Sequence, residues 1–188
     1  VAQEGRRWFL DWAEGLPREN PSLFYNLRYL HALQLAAGLA SRLGRRETGR
    51  WNRDAKQLGH LLKQRLLVDG GWLDDPAGGV LSQHSIAFLV LTGLLRGKAA
   101  GVYLDRAVAR SLDLDESLVL ASPYIHFYLF RALEMTGRRD DIEAIVRHRW
   151  GAWLARKSPT TWENWSVDFP DGSECHAWSA HPLLFLGP

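Results

Sequence analysis

Apolar residues that recur every three or four positions, over stretches closed by glycine, restrict this chain more than any other feature, because only packed α-helices use that period. Between residues 22 and 43 the run is Leu23, Leu27, Leu30, Leu33, Leu35, Ala37, Leu39 and Leu43, with Pro21 before it and Gly44 after it as start and stop signals. A second helix is predicted from Trp51 to Leu67, with Ala55, Leu58, Leu61, Leu62 and Leu66 on one face. The stretch from Asp69 to Gly79 holds four glycines, a proline and three acids, which predicts a loop with a short strand around Trp72. Ser82–Leu95 is apolar nearly all round through Ile86–Leu91 and is therefore a buried helix. A weaker amphipathic helix follows from Lys98 to Ser111, and Pro123 opens another over Tyr124–Met135, stopped by Gly137. Asp140–Arg156 completes six helices. Short connections make neighbours antiparallel, so the expected architecture is all-α: three antiparallel helical hairpins.

A weak internal echo supports repetition. Leu43-Gly44-Arg45-Arg46-Glu47 and Thr136-Gly137-Arg138-Arg139-Asp140 both read as a helix end, a glycine stop, two arginines and an acid. Stacked hairpins give a solenoid or a closed toroid, although Gly-Arg-Arg is also ordinary helix punctuation. The arginines at positions 42, 45, 46, 50 and 53 read as a solvated face.

Composition removes several classes of function. The chain has 188 residues, enough for one domain with a substantial core, and 23 basic against 21 acidic side chains, too balanced for a nucleic-acid partner. One cysteine excludes an internal disulfide and a cysteine-rich zinc site. No apolar run is long enough to span a membrane. Residues 1–20 carry too many charges for a secretory leader, which favours a cytoplasmic location as the expectation. No phosphate-binding glycine loop is present, and no cofactor or metal is expected.

Nine tryptophans remain to be explained, five of them between Trp150 and Trp178. The segment from Ser158 to Leu186 differs from the helices before it. Glu163 follows Trp162 directly and stands two residues from Trp165. A carboxylate set among indoles is partly desolvated, which suits it to proton transfer, and flat indole faces stack on the C–H faces of sugars. The alternative is a tryptophan-rich core corner in which Glu163 caps a helix after Thr160 or Thr161. His31, His60 and His148 fall within helices at no ligand spacing and read as packing or surface residues; His84 and His126 open apolar helices and could face a pocket. His176 and His181 are five apart, unlike the pair of a helical zinc site. Cys175 beside His176 does not make a nucleophile–base couple, because adjacent residues on a helix point apart.

Two elements in this segment carry a resemblance. Thr160-Thr161-Trp162-Glu163, followed by Ser173-Glu174-Cys175-His176-Ala177-Trp178-Ser179-Ala180, resembles the C-terminal signature of α-L-rhamnosidase-like six-hairpin glycosidases, and Trp8-Phe9-Leu10-Asp11-Trp12 looks like the F-x-D-W element of that family. The resemblance implies an (α/α)6 toroid with a sugar pocket at one end of its inner helices, and hydrolysis of terminal α-L-rhamnose by inversion. It assigns Glu163 as general base and His176 as a substrate contact. It makes Trp162, Trp165 and Trp178 pocket walls, and it places Asp11 and Trp12 near the sugar hydroxyls.

The chain also departs from that pattern. The family's general acid belongs to an acidic, arginine-containing element well upstream of the F-x-D-W tract, and only seven residues precede Trp8. A six-hairpin toroid needs about twelve helices, roughly 300 residues or more. The expectation is therefore a single α-helical domain, residues 1–188, forming the C-terminal half of a glycosidase catalytic domain. It would carry the base and lack the acid, with Glu174 and Asp168 as undecided substitutes. A homodimer completing the toroid is the expected assembly. A non-catalytic sugar-binding or scaffold module and a six-hairpin enzyme for another sugar are the competing readings.

Overall fold

Each hairpin begins with a helix that its sequence period dictates, and that first helix ends where a glycine (Gly44, Gly93 or Gly137) lets the backbone turn. A computed structural model describes residues 9–17, 23–75, 78–166 and 172–187. Helix α1 (Leu23–Arg42) stops at Gly44, whose φ of +62° is open to glycine at little cost. It pairs with α2 (Glu47–Leu66), which begins four residues earlier than the spacing predicts because Glu47 suits the positive N-terminal end of a helix. Buried Gly59 lets α2 pass close to Leu30 of α1 and to Leu94. Leu61, expected on the buried face, is exposed.

The loop holds the strand expected at Trp72, as half of a minimal hairpin: β1 (Leu67–Val68) pairs antiparallel with β2 (Gly71–Trp72). Helix α3 (Gln83–Leu91) ends four residues short of the predicted Leu95. Gly93 turns at φ +73°, and the amide of Leu95 closes back on the carbonyl of Leu89. The second and third hairpins then follow as α3 with α4 (Gly97–Ser111), and α5 (Pro123–Met135) with α6 (Arg139–Ala155). A 3-10 turn over Ala177–Ala180 and a short α7 (Leu183–Leu186), neither foreseen from the sequence, complete the described residues.

The helices form two layers. Helices α1, α3 and α5 pack side by side as an inner row with α3 in the middle, and α2, α4 and α6 lie outside them. One apolar cluster runs through both layers, centred on Phe24, Phe88, Leu104, Leu129 and Phe130. The loops leading into α3 and α5 and the segment following α6 meet at the same end of the inner row. The amide of Leu23 donates to Asp74 O, the amide of Gln83 to Val119 O, and the indole of Trp165 to Ala121 O. The N-termini of the inner helices therefore surround one mouth. Among the described residues no helix is long and apolar enough to cross a membrane.

The mouth is underlain by a polar seam that helical periodicity does not reveal. In the first turn of α3, Gln83, His84 and Ser85 are fully buried. The Gln83 side-chain amide donates to Ala107 O and Ser111 Oγ, and its carbonyl accepts the Ala121 amide. His126, for which a pocket-facing position was left open, is instead enclosed by Phe130, Trp150 and Trp165 and bonded to Ser111 Oγ and Ser122 O. Burial pushes its imidazole down to about 3, so it is neutral near pH 7. His181 is lowered to about 4 by burial in the same way and reaches Pro123 O at 2.8 Å.

Candidate active site

The chain that leaves α6 has no helical period and is held by a ladder of short bonds between two extended stretches. The amide of Glu163 donates to Ser173 O, the amide of His176 donates to Thr161 O, and Thr161 Oγ1 returns a bond to His176 O. Thr160 Oγ1 bonds Glu174 O further along. Glu163 thus lies on a hydrogen-bonded strap outside any helix and does not cap one, while the tryptophan-rich corner of that alternative is present around Trp150, Trp153, Trp162 and Trp165.

Glu163 is only 7% exposed. Its Oε2 accepts the amide of Ser173 at 3.1 Å, and His176 Nδ1 faces it at 3.8 Å, beyond hydrogen-bonding distance. That nitrogen is buried and has no hydrogen-bond partner among the described residues. The imidazole of His176 stacks on Trp178, ring centres 4.3 Å apart and planes inclined at 36°, and Trp178 is the most open of the three tryptophans named from the motif. A carboxylate, an imidazole and an indole are thereby brought together.

The other two indoles are placed differently. Trp162 is buried, inclined against Trp153 at 5.6 Å, with its indole N–H on Ser158 Oγ and its backbone carbonyl accepting Ser179 Oγ at 2.6 Å. Its side chain belongs to the packing beneath the strap, where so large a ring is most fully removed from water. Trp165 is half-buried among Trp150, Trp153 and His126, with the Arg149 guanidinium over its face. It also lines a cleft of about 590 Å³ together with Trp12, Arg110, Glu116, Ser122 and Asn164. The indoles of Trp12 and Trp165 therefore share a cleft to which Glu163 contributes no lining atoms.

Asp11 is also enclosed rather than presented to the mouth. It is 1% exposed: Oδ1 accepts the Ser122 hydroxyl at 2.5 Å, and Oδ2 accepts the Ser122 amide at 3.0 Å and His84 Nε2 at 2.6 Å. Burial alone would raise its carboxyl, but the hydrogen bond and charge of His84 and the two bonds from Ser122 outweigh that and hold it below the ordinary range. Asp11 thus clamps the segment before α1 to the N-termini of α3 and α5. Asp74, beside it in the seam, is shifted the other way: burial raises it against hydrogen bonds from Ser82 and Ser85.

Glu174 and Cys175 are exposed, and Asp168 and Trp8 lie outside the described residues. No group of three or more His, Cys, Asp or Glu side chains capable of holding a metal ion occurs among the described residues. The sequence reading passed over Ser179, Ser122 and Tyr124. Each stands next to a feature it did use, but none carries a local signal of its role.

Three helical hairpins, with a carboxylate, an imidazole and an indole brought together beside the start of α5, make an all-α module, and its likeness to known proteins identifies it as glycoside-hydrolase-type. The chain belongs to the bacterial α-L-rhamnosidase six-hairpin glycosidase domain family, whose model matches residues 2–187. Among solved structures it is similar to a GH78 family rhamnosidase of Bacillus sp. GL1, with 26% identity, a TM-score of 0.81, and coverage of 96% of this chain and 20% of that one. It is also similar to a rhamnosidase from Klebsiella oxytoca with rhamnose bound, at 24% identity and a TM-score of 0.76, covering 96% of this chain and 37% of that one. The chain thus spans about a fifth of the first and somewhat over a third of the second. No curated protein matches it.

Proposed function

We propose that this chain is the part of an inverting α-L-rhamnosidase that supplies the general base, and that Glu163 is that base. The observation that carries the reading is the setting of Glu163: a nearly buried carboxylate, oriented by the Ser173 amide, facing His176, at the mouth formed by the inner helices. In this mechanism Glu163 takes a proton from a water on the face of the sugar opposite the leaving group. His176 contacts the sugar, and Trp178 offers it an apolar wall. The partner acid stands roughly 6.5–9.5 Å away, leaving room for that water.

The acid, in this reading, comes from further hairpins of a longer catalytic domain. The outer side of α1 supports this: Tyr25, Tyr29, Leu35 and Leu39 are all exposed along an inner helix, the edge on which another hairpin would pack. The same stripe is where a second copy would associate if no hairpin covers it, and light scattering distinguishes the two.

The test uses an aryl α-L-rhamnoside, whose good leaving group depends least on a general acid. Glu163→Gln is expected to lower turnover by about 10²–10⁴-fold while leaving thermal unfolding unchanged, and the first product seen by NMR is expected to have inverted anomeric configuration. Equal turnover of Glu163→Gln and parent would remove the assignment.

A further inference from the structure

Another cleft, of about 470 Å³, lies away from the mouth, between α1, α2 and the turn that leaves the C-terminal end of α3. Its floor is apolar: Leu30 of α1 and Leu94 of the turn meet over Gly59, whose missing side chain lets them approach α2. Its rim is cationic. Lys56, His60 and Lys63 are spaced four and three residues apart, so they share one face of α2, and Arg96 reaches the cleft from the turn. All four are exposed, and among the described residues no aspartate or glutamate lines the cleft. The pattern of ion pairs sets this rim apart. Arg106, Arg110, Arg131, Arg138, Arg147 and Arg149 each meet a carboxylate, whereas Lys56, Lys63 and Arg96 have no such partner among the described residues. Helix α2 carries five lysines and arginines against two acids, and one of those acids, Asp54, is taken by Arg50.

The carbonyls that end α3 do not occupy these cations. Gln34 Nε2 donates to Thr92 O at 3.0 Å, the Leu95 amide donates to Leu89 O, and Arg96 uses only its Nε, on Gly93 O at 2.8 Å. Arg96 and Lys98 also stand at the N-terminal end of α4, whose first turn holds no acid. A helix N-terminus favours negative charge, so two cations placed there are at a disadvantage that an anion relieves. The apolar floor keeps water from one side of the cleft and strengthens that attraction. We propose that this cleft binds a small ligand carrying two or more clustered negative charges, held by Lys56, Lys63 and Arg96. Phosphate groups and carboxylates gathered in one molecule both supply this chemistry, and the volume is that of a small-molecule site. The proposal is independent of the role of Glu163, which stands at the other end of the inner helices.

Calorimetric titration of the chain with pyrophosphate and, separately, with citrate tests this, at low salt and in a buffer free of both, since exposed charges are screened beyond about 10 Å at 0.1 M salt. A dissociation constant below about 1 mM is expected for at least one of the two, weakening as salt is added. Binding of pyrophosphate alone assigns the cleft to phosphate groups, binding of citrate alone assigns it to carboxylates, and binding of both assigns it to clustered charge whatever its carrier. Lys56→Gln combined with Lys63→Gln is expected to weaken binding by at least about tenfold. Arg96→Gln is expected to weaken it in the same direction, and it covers the case in which the double variant fails to fold. Arg45→Gln combined with Arg46→Gln, on exposed residues outside the cleft, is expected to leave the affinity within about twofold. Affinities weaker than about 1 mM for both anions overturn the proposal. An affinity that the lysine and Arg96 variants leave unchanged also overturns it. So does an equal loss in the Arg45 and Arg46 control, which would show diffuse attraction to a basic surface.

Discussion

Replacing Asp11 by alanine separates two roles that its motif leaves confounded, sugar contact and structural clamp. Among the described residues the carboxylate accepts three hydrogen bonds, from the amide and hydroxyl of Ser122 and from His84 Nε2, at 2.5–3.0 Å and with 1% of its surface exposed. A hydrogen bond to a buried charge contributes about 1.5–3 kcal/mol, and removing one partner of a buried pair costs about 3–5 kcal/mol because the other is left unpaired. Asp11→Ala strands three donors at once, so a loss of about 3–5 kcal/mol is expected, a large fraction of the roughly 5–15 kcal/mol by which domains are stable. Urea denaturation followed by tryptophan fluorescence reads this directly. With a slope near 2 kcal/mol/M, the midpoint is expected to fall by about 1.5–2.5 M. Pairing Asp11→Ala with Ser122→Ala should give strongly non-additive losses, since each removes the other's partner. A midpoint shift worth less than about 1 kcal/mol, with rhamnose binding lost instead, would refute the clamp and restore the sugar-contact role.

Two further outcomes follow from the seam and the strap. Ser179→Ala removes the hydroxyl that bonds the Trp162 carbonyl, the residue before Glu163, and leaves that buried carbonyl unsatisfied; about 1–3 kcal/mol and a drop of roughly 2–12 °C in the thermal midpoint are expected, and an unchanged midpoint would show that the strap is held by its ladder alone. Acid should destabilise the fold earlier than carboxylate titration alone predicts. Burial lowers His126 to about 3 and His181 to about 4, so below about pH 6.5 the unfolded chain binds protons that the folded chain does not. Stability therefore falls as pH drops from about 6.5 toward 4, by up to about 1.4 kcal/mol per pH unit for each histidine, partly opposed by Asp74, whose raised carboxyl binds its proton in the folded state. Denaturation at a series of pH values checks this; a profile flat from pH 6.5 to 5, or one that His126→Gln leaves unaltered, would contradict it.

The helices were legible because burial of an apolar stripe is a local property of sequence: Leu23, Leu27, Leu30 and Leu33 are all in the core, as their spacing requires. Boundaries were legible where glycine stopped a helix, as at Gly44 and Gly137, and missed where Gly93 did the same inside an apolar run. The motif around Glu163 and His176 pointed to residues that the fold does bring together, since the stretches Thr161–Glu163 and Ser173–His176 are hydrogen-bonded to each other.

What the sequence could not decide was the direction in which each side chain of a motif faces. Trp162 and Trp165 flank one loop, yet one lies beneath the strap and the other lines a cleft, because Trp153 and Trp150 of α6 offer surfaces that no neighbour in sequence supplies. The resemblance placed Asp11 near the sugar hydroxyls; its partners, His84 and Ser122, lie 73 and 111 residues away. Tyr124 reads as an ordinary member of an apolar helix, yet Trp178, more than fifty residues later, comes to rest beside it. Local periodicity sets which segments become helices and which faces they bury. The environment of a buried polar or aromatic group is set by groups distant in the chain, and only the packed tertiary structure brings those into contact.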